Sequence, residues 1–148
     1  MRYLRLLLLI GVYALPTAAF AVDEIDGPVE ARVLKVIDGD TLLVEARPWP
    51  QQKVEVYVRI RGIDTPELRS KCASERVAAG AARAALAALS ASSPTIHLSR
   101  ISGDKYFGRV VADVALEDGL QPAHQLVLAG LAVSYDGGRK AQGACPDP

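Results

Sequence analysis

Alternation of apolar and polar positions is clearest between Val54 and Arg61. There Val54, Val56, Val58 and Ile60 interleave with Glu55, Tyr57, Arg59 and Arg61. A period of two predicts a strand with one buried face. Upstream, Val33, Leu34, Val36 and Ile37 lead into Asp38-Gly39, and Leu42, Leu43 and Val44 follow. Asp-Gly between two β-rich runs predicts a hairpin. Pro48-Trp49-Pro50-Gln51-Gln52 reads as a loop. Its Trp49 either offers a ring for stacking or, the plainer expectation, covers one end of the fold. Gly62 ends or bulges the third strand, and Thr65-Pro66 closes it.

The period then lengthens. Ala78, Ala81, Ala82, Ala85, Leu86 and Leu89 share one face of a helix predicted over Ser74–Ser90, with Arg76 and Arg83 on the other. Ser74 is the candidate N-cap, and Glu75 suits the positive end of the helix dipole. Ser92-Ser93-Pro94 stops this helix. Strands are predicted at Thr95–Leu98 and Arg109–Leu116, with a turn at Asp118-Gly119. Pro122, at a first-turn position, opens a short helix through Leu126 and Val127 that Gly130 closes. The order is three strands, helix, two strands, helix. That is an α+β arrangement, and it predicts the five-stranded oligonucleotide/oligosaccharide-binding (OB) barrel, with a helix between strands three and four and a short C-terminal helix.

A chain of 148 residues, half of them hydrophobic and 23% charged, suits one globular domain and excludes disorder. Lys plus Arg and Asp plus Glu both number 17, so net charge argues for no partner. Two Cys cannot make a thiolate zinc site, and His97 and His124 are expected to be surface or satisfied histidines. At the N-terminus, Arg2 and Arg5 precede the apolar run Leu6–Leu15, and Ala19-Phe20-Ala21 follows. These are the three regions of a secretory signal peptide. The alternative, an uncleaved anchor, needs a longer run to cross a hydrocarbon core of ~30 Å. Cleavage after Ala21 removes two arginines and no acids, so nucleic-acid affinity would have to come from a local basic surface. In an oxidising compartment Cys72 and Cys145 are a candidate disulfide; two free thiols are the alternative.

Three clusters carry candidate chemistry. Asp38-Gly39-Asp40-Thr41, taken alone, is a hairpin turn, with Asp40 expected as an exposed turn carboxylate. Arg59-Ile60-Arg61-Gly62-Ile63-Asp64-Thr65-Pro66-Glu67 brings acids and arginines to a strand end, where Arg61 either widens a basic groove or is merely solvated. Asp104-Lys105-Tyr106-Phe107-Gly108-Arg109 is a turn with cations and aromatics before a strand. Combined, they hold two aspartates suited to a hard cation, two guanidinium forks for a phosphate, and a glutamate able to take a proton from water. Those are the parts that phosphodiester hydrolysis needs.

The chain resembles the staphylococcal nuclease (thermonuclease, micrococcal nuclease) family. The likeness lies in Val36 through Thr41, Arg59 through Glu67, Lys105 through Arg109, and Gly130-Leu131-Ala132 followed by Tyr135, in that order. Phe107 stands between Tyr106 and Gly108 where the family usually has Tyr directly before Gly. The resemblance implies a Ca²⁺-dependent nuclease that cuts DNA and RNA to 3′-phosphates. Asp40 and Asp64 would hold Ca²⁺ by carboxylate and Thr65 by its carbonyl. Glu67 would position or deprotonate water, and Arg59 and Arg109 would bind the scissile phosphate. Lys105, Tyr106 and Tyr135 would contact the nucleotide. The expected divisions are a signal peptide at 1–21, a mobile acidic lead at 22–30, the nuclease domain at 31–136 and a tail at 137–148. The protein is expected in the periplasm or secreted, free of the membrane after cleavage and monomeric. The alternatives are the same barrel binding nucleic acid without cutting it, and a structural or interaction protein of the envelope.

Overall fold

The computed structural model describes residues 23–138 and Cys145. The signal peptide expected at 1–21 and most of the tail lie outside them. In chain order the elements are β1 (Glu24–Ile25), β2 (Val29–Val36), β3 (Thr41–Arg47), β4 (Val54–Ile60), β5 (Ile63–Asp64), α1 (Ala73–Ser92), β6 (Thr95–Gly103), β7 (Arg109–Leu116), α2 (Pro122–Leu128) and β8 (Val133–Ser134). Among the described residues, no helix is long and apolar enough to cross a membrane.

Five strands close a barrel. β2 pairs antiparallel with β3, β3 with β4, β6 with β7 and β6 with β2, while β4 and β7 close the ring in parallel. The OB-like barrel with helices expected from the element order is therefore present. The acidic lead departs from expectation. Glu24–Ile25 adds a short strand to β6, and Val29 and Glu30 already belong to the barrel. Two residues of strand carry too little periodicity to be read from sequence.

Inward side chains of the strands supply most of the core: Leu42 and Val44, Val58 and Ile60, Ile96 and Leu98, Ala112, Val114 and Leu116. Leu86 of α1 and Leu126 of α2 complete it. Burying each Leu or Ile contributes roughly 1.5–3 kcal/mol. Burial along β4 increases toward Ile60, because Val54 at its start is 44% exposed. α1 buries Ala79, Ala82, Leu86 and Ser90, whereas Ala78 and Ala81 face solvent. Alanine surrounds this helix almost completely, so composition could not set its rotation. Its N-cap is Cys72 rather than Ser74, with no side-chain cap. The five aromatic residues of the described chain, Trp49, Tyr57, Tyr106, Phe107 and Tyr135, all lie outside the aliphatic core. Trp49 is 58% exposed and does not cover the barrel end.

Candidate active site

The β2–β3 turn places Asp40. The Ile37 N–H donates to the Thr41 carbonyl at 2.9 Å, and Ile60 donates to the Asp40 carbonyl at 2.8 Å, tying the turn to the end of β4. Gly39 does not have positive φ, the usual reason for glycine in such turns. It is needed for close approach: a Cβ there would come within 2.7 Å of the Ala82 Cβ and 2.9 Å of the Thr65 hydroxyl oxygen. The absent side chain thus lets the turn seat against both α1 and Thr65. Asp40 is 3% exposed, not the exposed turn carboxylate expected from sequence. Its Oδ1 accepts from the Thr41 hydroxyl at 2.9 Å and its Oδ2 from the Thr65 N–H at 3.4 Å.

Arg59 stands opposite Thr41 across the β3–β4 ladder. Its Nη1 lies 2.9 Å from Asp40 Oδ2 and its Nη2 2.8 Å from Asp64 Oδ1, so one guanidinium bridges both carboxylates. Burial works to lower the Arg59 pKa, but Asp40 and Asp64 outweigh it and raise the value further, keeping the group charged. Burial drives Asp40 the other way, up to about 6, opposed by Arg59 and reinforced by the nearby Asp38. A single shared guanidinium does not fully offset the desolvation of this carboxylate.

Gly62, at φ +82°, turns the chain from β4 into β5. β5 pairs with β8, setting Asp64 opposite Val133, and the Tyr135 N–H donates to the Gly62 carbonyl at 2.9 Å. Thr65 is buried. Beyond it, residues 67–72 form a turn held from α1. Arg76 donates to the Ser70 and Lys71 carbonyls, both at 2.9 Å, and Ser70 donates to Glu75. The Ser70 N–H donates to the Glu67 carbonyl at 3.1 Å, fixing the backbone that presents Glu67.

The β6–β7 hairpin places Arg109. Gly108, at φ +81°, makes its turn, and the Asp104 N–H donates to the Arg109 carbonyl at 3.2 Å. Arg109 Nε donates to Asp104 Oδ2. The Arg109 guanidinium lies 4.6 Å from the Tyr106 ring centroid, and the Lys105 ammonium lies 5.0 Å from it. Burial acts to raise the Asp104 pKa, but the hydrogen bond from Arg109, the Lys105 N–H and the Arg109 charge overcome it, leaving the value lowered.

These segments border one cleft of about 1060 Å³. Asp40, Arg59, Thr65, Glu67, Lys105, Tyr106, Arg109 and Tyr135 line it. Asp64 is joined to the cleft through Arg59. Asp104, which sequence reasoning passed over, is the partner that orients Arg109. An acid and an arginine bracketing a glycine turn was the available signal. Arg61 also lines the cleft, but it spans strands, donating to the Arg100 carbonyl at 2.5 Å and to Ser102 Oγ at 2.9 Å.

Among the described residues, no three His, Cys, Asp or Glu side chains converge as a metal cluster. The central donors are two carboxylates with hard oxygens, and one of them is buried and incompletely neutralised. That set fits a hard cation whose remaining ligands are carbonyl, water or phosphate oxygens, and it does not fit a thiophilic metal. Cys72 and Cys145 are joined by a disulfide, with Cα atoms 5.7 Å apart. Compared with known proteins, the chain matches no family model and no curated protein.

Proposed function

We propose that this chain is an exported, Ca²⁺-dependent nuclease of the staphylococcal type, hydrolysing DNA and RNA to 3′-phosphates. The observation that carries the reading is the shared cleft: a doubly paired Arg59, a second fork in Arg109, and Glu67 on a braced turn. Asp40, Asp64 and the Thr65 carbonyl would hold Ca²⁺, which supplies Lewis-acid polarisation of a phosphoryl oxygen. Glu67 takes a proton from the attacking water. Arg59 and Arg109 neutralise charge that builds on the non-bridging oxygens as the bond to the 5′-oxygen breaks, and the departing 5′-oxygen takes up a proton from solvent to leave as a hydroxyl. Tyr106, backed by two cations, and Tyr135 flank the nucleotide. The disulfide suits an oxidising compartment, which supports export.

The non-cutting binding module has one observation in its favour. Both forks are already paired with acids, Arg59 with Asp40 and Asp64 and Arg109 with Asp104. One assay separates the two readings: release of acid-soluble nucleotides from DNA and RNA in Ca²⁺, in Mg²⁺ and in chelator, for the parent and for Asp40→Asn. Asn retains the volume of the buried side chain and removes its charge. Ca²⁺ should support cleavage and Mg²⁺ support it poorly, because Mg²⁺ demands a tighter octahedron and releases water reluctantly. Asp40→Asn should abolish cleavage in a folded protein. Full activity in chelator, or an active Asp40→Asn protein, overturns the calcium reading; binding without cleavage in any metal selects the module.

A further inference from the structure

The loop between β3 and β4 carries a second cavity, of about 520 Å³, which is within the size range of small-ligand sites. It shares no residue with the cleft. β3 begins beside Asp40 and ends at Arg47, so the two sites lie at opposite ends of a strand roughly 20 Å long. Trp49, Gln51 and Gln52 line the cavity from the loop, and Glu30 and Arg47 line it from the adjoining strands. Trp49 is the one tryptophan of the chain, and it stays 58% exposed although indole is among the most favourable groups to bury. Its backbone is stiff. Pro48 and Pro50 fix φ on either side of it. The Gln52 N–H donates to the Trp49 carbonyl at 3.3 Å, closing a β-turn with Pro50 second and Gln51 third. Gln51 has φ +65° at a position that ordinarily takes Gly or Asn. A long amide is held there against its backbone preference, a cost that collects at functional sites.

Charge decides what this ring meets. Arg47 pairs with Glu30 at 3.0 Å, Lys53 with Glu45 at 3.1 Å and Arg32 with Glu45 at 3.8 Å. Glu55 stands opposite Glu45 across the β3–β4 ladder. These three cations and three acids balance, leaving no surplus to grip a polyphosphate. What remains is a large apolar ring bordered by two primary amides and a carboxylate–guanidinium pair, which together offer N–H donors and oxygen acceptors. A pyranose has the complementary form: C–H groups make its faces apolar, and the hydroxyls around its rim both donate and accept. We propose that this pocket binds a neutral glycan, with one sugar ring stacked on Trp49 and its hydroxyls hydrogen-bonded by Gln51, Gln52 and the Glu30–Arg47 pair. The site is separate from the cleft and does not depend on the chemistry proposed there.

Because Trp49 is the chain's one tryptophan, its emission reports on this pocket directly. Maltohexaose, cellohexaose and chitohexaose, each titrated to millimolar concentration, should include one that shifts the emission to the blue and shields it from acrylamide. Calorimetry with that glycan then tests the lining. Trp49→Ala should lower affinity at least ~tenfold, as loss of a central aromatic anchor does. Gln51→Gly should also lower affinity while the melting temperature holds or rises, since Gly suits the positive φ and removes only the amide. A merely structural loop residue would not lose binding as its turn becomes more favourable. Oligothymidylate binding in chelator should be the same for Trp49→Ala as for the parent. An emission unmoved by all three glycans overturns the proposal, as does unchanged affinity in either variant. So does an emission that responds to oligothymidylate or to a proline oligomer and to no glycan, which would make the loop a nucleic-acid or a peptide contact.

Discussion

Glu67 and Asp104 are acids with different work in one cleft. Glu67 sits on a turn whose backbone is held from the start of α1. In the proposed mechanism, Glu67→Gln removes basicity and keeps shape. Turnover should fall by ~10² or more while oligonucleotide affinity in chelator is retained; unchanged turnover at saturating Ca²⁺ would remove Glu67 from the role of base. Asp104 is a partner group, and its lowered pKa makes its contribution pH-dependent. The folded-state value lies below the unfolded one, so the stabilisation is complete above the unfolded pKa. It is lost as pH falls through the folded pKa. The gap in stability between the parent and Asp104→Asn should be on the order of 1 kcal/mol between pH 5 and 8 and should close in acid. Urea unfolding across pH measures it; a gap that widens in acid contradicts the assignment. The partnership itself was hard to see in sequence, where Asp104 looks like any turn aspartate. Asp40 is buried where its motif predicts exposure for a related reason: a turn motif specifies backbone direction, whereas the Arg59 guanidinium and the Thr65 N–H that meet the carboxylate come from elsewhere in the chain.

Elements were legible where their period was strong. The alternation from Val54 to Arg61 becomes β4, which stops one residue earlier at Ile60, and the run Arg109–Leu116 becomes β7 with the same limits. β6 runs on to Gly103, beyond the expected Leu98, through the polar Ser99-Arg100. Arg100 has φ +48°, and the β6–β7 register shifts there, so the strand continues across an irregularity that breaks its pattern. The parallel β4–β7 pairing and the small β5–β8 ladder depend on barrel closure between distant segments, which no local window reports. That closure aligns Tyr57 with Arg109 and brings Tyr135 to Gly62. One contact joins three elements at the site, Gly39 between Ala82 and Thr65. Because its φ is ordinary, alanine is not excluded by backbone strain, and the cost is overpacking alone. Gly39→Ala should destabilise the protein by about 1–3 kcal/mol. It should also lower cleavage more than binding, since the turn carries Asp40 away from Arg59. Normal stability and activity together would show that α1 yields without cost.

At the scale of the whole molecule, the barrel and the cleft meet at the N-terminus of α1. Cys72 caps that helix and is 8% exposed. Its N–H donates to Ser70 Oγ at 3.1 Å, inside the hydrogen-bonded turn that presents Glu67. The disulfide to Cys145 ties the chain beyond the barrel to this point, across a separation of 73 residues. Cross-linking positions so far apart removes much freedom from the unfolded chain, and in the loop-entropy account the native bond contributes about 2–4 kcal/mol. Cys145→Ser should therefore lower the unfolding free energy in urea by that amount, with a larger m-value because the uncrosslinked unfolded chain exposes more surface. The core, built from strands and helices far from the bond, should remain folded. Activity should respond less than stability, because Arg76 and Glu75 hold the Glu67 turn without help from sulfur. Reductant added to the parent should reproduce the loss of stability, and reductant added to Cys145→Ser should do nothing more. If Cys145→Ser matches the parent in urea but loses turnover, the bond serves the Glu67 turn directly. The bracing by Arg76 and Glu75 would then be insufficient by itself.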